Sequence, residues 1–345
     1  MSAANGSASR TLAPFGRRSA AVVESRALGG YRLLTVLDAA GPRPDPGQFY
    51  MLSTAERWGS DGERPYLPRA FSHARVREGD GGSGETDGGS AEAGAGLRLD
   101  FLLEDVGPGT ERLARTAAGE EVRLVGPLGI GFAAPGGSPP GSATLSGSAA
   151  PGSAAPGGSA ATGSAARSGF AAPVSAPSGF AAPVSAPSAL LVGGGIGAAP
   201  ILALSDELGP SAPVMLGFRN SDYAEAASLF DAEPALATDD GSAGRHALVT
   251  ELLREALDEA AAAPGSAPPT VFACGPPPML EAVRALCAER DVPAQLAMES
   301  GMACGFGACF GCVVPTRDGY VRLCVDGPVL DASELETALV AGAGH

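Results

Sequence analysis

Four cysteines near the C-terminus carry the most specific chemistry in this chain. Cys304, Cys309 and Cys312 fall in Met302-Ala303-Cys304-Gly305-Phe306-Gly307-Ala308-Cys309-Phe310-Gly311-Cys312, and Cys324 follows in Val321-Arg322-Leu323-Cys324. This Cys-x4-Cys-x2-Cys pattern with a distant fourth cysteine is the plant-type spacing for a [2Fe–2S] cluster. The metal–sulfur bonds are about 2.3 Å long, so three thiolates must come from one tightly folded loop. Gly305, Gly307 and Gly311 let that loop curl, since glycine reaches positive φ without a Cβ clash. Their N–H groups can turn toward sulfur and tune the cluster. Disulfides are the first alternative, but the opening Met1-Ser2-Ala3-Ala4-Asn5 lacks the basic-then-apolar pattern of a secretory signal. A zinc site of four cysteines usually shows two Cys-x2-Cys pairs, and here there is one. We therefore read the four cysteines as cluster ligands.

Two glycine turns come next. Gly193-Gly194-Gly195-Ile196-Gly197 follows the apolar run Ala189-Leu190-Leu191-Val192 and precedes a helical pattern from Ala198. Backbone N–H groups at such a helix start can hold a pyrophosphate, and the glycines let it approach. The spacing differs from the usual Gly-x-Gly-x-x-Gly fingerprint, and an ordinary tight turn is the plain alternative. Cys274-Gly275-Pro276-Pro277-Pro278 opens a second strand-to-helix turn, expected at the same carboxyl end of the sheet. Cys274 either faces a nicotinamide or is a small buried hydrophobe. Cys287, mid-helix, reads as core.

Earlier in the chain, Arg69-Ala70-Phe71-Ser72 starts a strand. Arg69 can neutralise a diphosphate, and Ser72 can hydrogen-bond a flavin ring. Gly107-Pro108-Gly109-Thr110 opens a helix over Thr110–Arg115, and Gly126-Pro127-Leu128-Gly129-Ile130-Gly131-Phe132 follows the last strand-like run. His73, beside Ser72, is read as facing solvent.

The elements that must position these groups are legible in outline. A chain of 345 residues with 45% hydrophobic content is long enough for two or three cores. Its net charge of −15 argues against nucleic-acid binding. There is no 18-residue apolar run, so we expect no membrane span and a cytoplasmic protein. Strand-like runs at Ser19–Glu24, Tyr31–Leu37, Phe49–Ser53, Arg69–Arg77, Leu97–Leu103 and Glu121–Val125 predict a small antiparallel barrel. The Gly/Ser/Glu-rich stretch Glu78–Gly96 reads as a hairpin-tip insertion. Residues 133–188 are nearly all Ala, Gly, Pro and Ser, and Ser168–Pro177 repeats identically as Ser178–Pro187. Such a stretch buries too little apolar area to offset its ordering entropy and reads as a disordered linker. Beyond it, strands at Ala189–Val192, Pro213–Phe218, His246–Val249, Thr270–Ala273 and Ala294–Met298 alternate with helices. Those include Ala198–Glu207, Glu251–Ala262 behind a Thr250 cap, and Met279–Arg290. This alternation predicts a doubly wound parallel sheet. The expected fold is thus multi-domain, all-β then α/β. A flexible tail (1–17) precedes an antiparallel barrel (18–132), the linker (133–188), a nucleotide-binding domain (189–298), a cluster subdomain (299–332) and a C-terminal tail (333–345).

Taken in order, Arg-x-x-Ser, Gly-x-Gly-Thr, GPLGxGF, GGGIGxxP, CGPxxM and MACGxGACxGC resemble the electron-transfer subunit of class 1B dihydroorotate dehydrogenase. That family belongs to the ferredoxin–NADP reductase-like superfamily. The resemblance covers about residues 18–132 and 189–330. It implies that Arg69, Ala70, Phe71 and Ser72 form a flavin motif, that Leu102, Leu103 and Glu104 lie along the flavin, and that Gly109 and Thr110 meet the FAD phosphates. It implies NAD over Gly193, Gly194, Gly195, Gly197, Cys274, Gly275 and Pro276. Cys304, Cys309, Cys312 and Cys324 match the cluster ligands, and Glu299 matches a typical glutamate before the loop. Three positions depart from the family pattern: Ala70 replaces proline, Glu104 stands where arginine is expected, and Ile130 replaces asparagine.

The resemblance implies an electron relay. An FMN-containing catalytic subunit would oxidise dihydroorotate, and electrons would pass through [2Fe–2S] and FAD to NAD⁺ in pyrimidine synthesis, within a heterotetramer. No side chain need act as acid, base or nucleophile. A stand-alone NAD(P)H reductase serving another oxidoreductase, and a scaffold without cofactors, are the other readings. Arg219, with Asn220 and Ser221 after the second strand of the nucleotide domain, either meets a 2′-phosphate and favours NADP or is an ordinary surface arginine. The family favours NAD.

Overall fold

Alternating apolar positions in the first third of the chain close a sheet on itself. In this computed structural model, which describes residues 16–56, 58, 67–79, 96–139, 189–262 and 267–340, the strands are β1 (Arg17–Leu28), β2 (Tyr31–Asp38), β3 (Phe49–Thr54), β4 (Arg69–Glu78), β5 (Leu97–Leu103) and β6 (Glu121–Leu128). They form a closed barrel in the order β1-β2-β5-β4-β3-β6, every pair antiparallel. Closure leaves no strand edge exposed. Leu34, Val36, Tyr50, Leu52, Phe101, Leu103, Val122 and Leu124 fill the interior. Each such side chain contributes about 1.5–3 kcal/mol by leaving water. The short helix α1 (Pro108–Ala114) bridges β5 and β6.

The second unit is a seven-stranded sheet built from β7 (Ala189–Gly194), β8 (Val214–Phe218), β9 (Ala235–Thr238), β10 (Arg245–His246), β11 (Thr270–Cys274) and β12 (Ala294–Ala297), with β15 (Val329–Asp331) at one edge. The order is β10-β9-β8-β7-β11-β12-β15, and only β15 runs antiparallel. Helices α2 (Ala198–Leu208) and α3 (Ser221–Ala224) cover one face, α4 (Val249–Ala262) and α5 (Pro277–Glu289) the other. β7 is buried along its whole length. Leu190 and Val192 join one core while Ala189 and Leu191 join the other, as the two-residue period of a strand between helix layers requires.

Several boundaries differ from those expected. The strand predicted over His246–Val249 is only Arg245–His246, because α4 already begins at Val249. Thr250 lies inside that helix, and the Glu251 carboxylate instead accepts the Leu248 N–H at 2.9 Å, as in half of a capping box. β9 was not anticipated, since Ala235–Thr238 is rich in alanine, which has weak strand preference. Residues 133–139 are not linker-like. Gln295 accepts the Ala133 N–H at 2.8 Å and donates to the Gly137 carbonyl at 2.9 Å, and Thr270 accepts the Gly136 N–H at 3.0 Å. The expected C-terminal tail is also partly packed, with Leu335 and Ala338 fully buried. Residues 1–15, 80–95, 140–188 (which include the repeat) and 341–345 lie outside the described residues.

The barrel meets the sheet along α2. Leu28, Tyr31, Leu33, Ala74 and Leu102 of the barrel share a core with Ala198, Ile201 and Leu202. Arg75 on β4 donates two hydrogen bonds, at 2.6 and 2.7 Å, to the Asp206 carboxylate on α2. Among the described residues no helix is long and apolar enough to cross a membrane.

Candidate redox site

The cysteine loop runs from β12 into the hairpin β13 (Val313–Thr316) and β14 (Gly319–Arg322), the helical turn α6 (Leu323–Asp326), and back into the sheet as β15. Cys312 and Cys324 are buried, Cys304 is half-buried and Cys309 is exposed. The loop's amides already address sulfur: the N–H groups of Gly307, Gly311 and Cys324 donate to Cys324 Sγ (3.1 Å), Cys309 Sγ (3.4 Å) and Cys312 Sγ (3.4 Å). Burial opposes ionisation of Cys304, but the N–H groups of Phe306, Cys309 and Ala308 outweigh it and draw the thiol down to about 6. Burial, followed by the neighbouring Cys312, pushes Cys324 up to about 12. Among the described residues no three Cys, His, Asp or Glu side chains gather as one mononuclear metal site needs. A two-iron cluster takes four thiolates, two to an iron, and the four cysteines with their sulfur-directed amides supply a donor set of that kind.

The loop is seated on the barrel. Gly305 has φ +78°, and a Cβ there would lie 2.5 Å from Met51 Cγ on β3. Met51 pairs with Ala70 on β4, and Phe49 with Ser72. The cysteine loop and the Arg69–Ser72 motif are therefore separated by one strand. The Gly126–Phe132 segment closes the same corner, with Ile130 N–H donating to the Gly327 carbonyl at 2.5 Å.

At the flavin motif, the Arg69 guanidinium lies across the first turn of α1. A Cβ on Gly109 would sit 2.7 Å from Arg69 Nε, whereas one on Gly107 would meet nothing within 4 Å. This leaves an open, cationic cradle suited to a diphosphate. The side chain of Thr110 is committed to the turn itself: Oγ1 accepts from Val106 N at 2.9 Å and Gly107 N at 3.0 Å. The side chains of Phe71 and Leu103 point into the barrel core, and Leu102 packs in the core shared with α2, so these three present backbone, not side chain, to a ligand. Ser72 is half-buried and Ala70 exposed. His73 departs from expectation: it is 1% exposed, and burial depresses its pKa to about 4.

The Gly193–Gly197 and Cys274–Pro276 turns lie side by side. Gly193 on β7 is in register with Cys274 on β11. A Cβ on Gly197 would strike the Cys274 carbonyl at 2.3 Å, and one on Gly194 the Met279 sulfur at 2.4 Å and Pro276 at 3.0 Å. A Cβ on Gly275 would strike Met279 Cε at 2.5 Å and approach Gly194 Cα at 3.1 Å. Gly195, at φ +55°, would meet only the Tyr31 hydroxyl at 3.8 Å, so the turn is open above. Cys274 is packed against the α2-side core, and burial, reinforced by the Glu299 carboxylate, keeps its thiol protonated. Cys287 is core.

Two features were missed from sequence. Glu104, expected along the flavin, carries its carboxylate to Arg219 of the α/β unit in an ion pair. Glu281 on α5 clamps the C-terminal segment: it accepts from Arg284, from Ala338 N at 2.6 Å and from Thr337 Oγ1 at 3.0 Å. The Glu281–Arg284 pair is a local i,i+3 contact, but Thr337, Ala338 and the Arg219 partner of Glu104 are far away in sequence, so no local pattern signals the clamp or the Glu104 pair.

An antiparallel barrel followed by a largely parallel α/β domain, with a four-cysteine loop beside them, is a ferredoxin–NADP reductase-like fold. In fold the chain is similar to the NADH-dependent reduced ferredoxin-NADP oxidoreductase, at TM-score 0.59 and 17% identity over 92% of this chain and 90% of that one. Residues 299–336 match the iron–sulfur cluster binding domain of dihydroorotate dehydrogenase B. The chain is 30% identical over 241 residues to the dihydroorotate dehydrogenase B (NAD(+)) electron transfer subunit of Clostridium acetobutylicum, covering 69% of this chain and 74% of that protein. It is 25% identical over 324 residues to the Caldanaerobacter subterraneus protein of the same name, covering 92% and 98%. The chain belongs to the family of dihydroorotate dehydrogenase B electron transfer subunits.

Proposed function

We propose that this protein is the electron-transfer subunit of an NAD-dependent dihydroorotate dehydrogenase in pyrimidine synthesis. With its groups bound, it passes electrons from an FMN-containing catalytic subunit through [2Fe–2S] and FAD to NAD⁺, the flavin converting between one- and two-electron chemistry. Residues 18–132, 189–298 and 299–332 act as flavin, nucleotide and cluster units. Cys304, Cys309, Cys312 and Cys324 hold the cluster, and the loop amides set its environment. Arg69 and the backbone of Gly109 and Thr110 hold the FAD diphosphate, while Ser72 and the strand Leu102–Leu103 line the flavin. The Gly193–Gly197 and Cys274–Pro276 turns bind NAD(H). The subunit works in the cytoplasm, two copies with two catalytic subunits.

The observation that carries this reading is the seating of Gly305 on Met51, one strand from Ala70 and Ser72. It sets the cluster loop beside the flavin motif without an intervening layer. The test is coexpression with an FMN-type dihydroorotate dehydrogenase from the same source. The complex should reduce NAD⁺ with dihydroorotate, and the catalytic subunit alone should not. Equal NAD⁺ reduction with and without this chain would overturn the reading, as would full reductase activity toward a small acceptor unaffected by the partner.

A further inference from the structure

Arg219 immediately follows β8, the strand hydrogen-bonded to β7. It therefore stands at the carboxyl end of the sheet, next to the strand that leads into the Gly193–Gly197 turn. In doubly wound folds this is where the adenosine ribose lies, and where an arginine receives the 2′-phosphate of NADP. The residue types alone would make this a candidate NADP site.

The structure shows that this arginine is already occupied. Its Nη2 donates to Oε1 of Glu104, which directly follows β5 of the barrel. Its guanidinium carbon lies 4.0 Å above the Tyr223 ring, and Tyr223 packs edge-on against Tyr31 with centroids 5.0 Å apart. Tyr31 in turn borders Gly195 of the nucleotide turn. Asn220 caps the next helical turn through the N–H groups of Asp222 and Tyr223, so the backbone bearing Arg219 is fixed. The Glu104 side chain is 20% exposed and that of Arg219 60%, so the carboxylate is the better-held partner and the guanidinium the one a ligand reaches.

We propose that Glu104, a residue of the flavin barrel, determines cosubstrate specificity by masking Arg219, so that the site takes the 2′-hydroxyl of NAD(H) and rejects the 2′-phosphate of NADP(H). A phosphate dianion arriving at Arg219 must break a charge-assisted hydrogen bond and then sit beside an unpaired carboxylate of its own sign. A 2′-hydroxyl has no charge to repel and can bind with the ion pair intact. The same residue that departs from the family's expected arginine thereby acquires a role.

The inference rests on the nucleotide-binding reading of the Gly193–Gly197 turn. The test is calorimetric titration of the full chain with 5′-AMP and adenosine 2′,5′-bisphosphate, alongside the ratio of kcat/KM for NADPH to that for NADH. Wild type should prefer 5′-AMP and NADH. Glu104→Gln keeps the shape and removes the charge, and it should raise both ratios by about tenfold in favour of the phosphorylated nucleotide. Glu104→Gln combined with Arg219→Ala should return them to near wild type, because the freed cation is gone. Unchanged ratios in Glu104→Gln, with 5′-AMP still bound, would overturn the masking role alone. Failure of wild type to bind either nucleotide would overturn the masking together with the nucleotide reading. Should Glu104→Gln not fold, Arg219→Ala decides: a tenfold loss confined to NADPH and the 2′,5′-bisphosphate would mean that Arg219 already reads the phosphate, and the proposal is wrong.

Discussion

Replacing Gly305 by alanine adds one methyl group where the cysteine loop meets the barrel. Two costs follow from the structure. The residue has φ +78°, where an L-side chain costs about 1–2 kcal/mol. The new Cβ would lie 2.5 Å from Met51 Cγ, 2.9 Å from its sulfur and 3.1 Å from Leu128 Cδ1. Met51 is 2% exposed and its Cγ is mid-chain, so relief requires shifting packed groups, an overpacking cost of about 1–3 kcal/mol. The total is about 2–5 kcal/mol, concentrated on the contact that holds the cluster loop against β3. The control is Gly301→Ala, where a Cβ meets nothing within 4 Å and φ is not left-handed. It should cost less than about 0.5 kcal/mol. Iron and sulfide content, FAD content, and thermal melting followed at the cluster absorption would be measured on both. Gly305→Ala should lose iron and melt several degrees lower, at about 2–4 °C per kcal/mol, while retaining FAD. Full iron content and a melting curve matching Gly301→Ala would show that the loop is not seated on β3 as described.

Cys309→Ser should abolish the cluster's visible absorption and leave FAD bound, since the residues proposed to hold the flavin lie on β4 and α1; simultaneous loss of both groups would contradict that separation. Arg69→Ala should weaken FAD binding by about tenfold to a hundredfold, the worth of charge-assisted bonds to phosphate, measured by flavin release on dilution. Arg69→Lys should restore it only in part, because an ammonium lacks the guanidinium fork. Glu281 is held at about 2, below its ordinary 4.5, first by Arg284 and then by the Ala338 N–H and Thr337. A carboxyl with a depressed folded pKa stabilises fully above its unfolded value and loses that contribution as pH falls toward the folded one. Glu281→Gln should therefore lower the melting temperature at neutral pH, and the difference from wild type should shrink as pH falls below 4.5; a difference independent of pH would refute the clamp.

The barrel and the doubly wound sheet were legible because their signals are local. The buried run Ala189–Val192 ends in glycines, and the six barrel strands alternate or run apolar between turn residues. The cysteine spacing was equally local. What sequence concealed was contact between distant segments. Residues 133–139 read as linker by composition, yet their backbone is tied to Gln295 and Thr270, and composition does not report backbone hydrogen bonds to remote side chains. His73 was read as solvent-facing next to a polar Ser72. The β-bulge between His73 and Arg75 breaks simple alternation, and the ring is buried. Leu102 and Leu103 stand where a flavin contact was expected, but they spend their side chains on two different cores. Glu104 looked like a mismatch beside phosphates until its partner 115 positions away became visible.

The most direct measurement is the visible spectrum of anaerobically purified full-length protein, with iron and flavin quantified, before and after NADH. Flavin bands with a reddish-brown shoulder, near two irons and one FAD per chain, both bleached by NADH, are the predicted result. Iron without flavin, or bound flavin and cluster that NADH leaves unreduced, would contradict the relay.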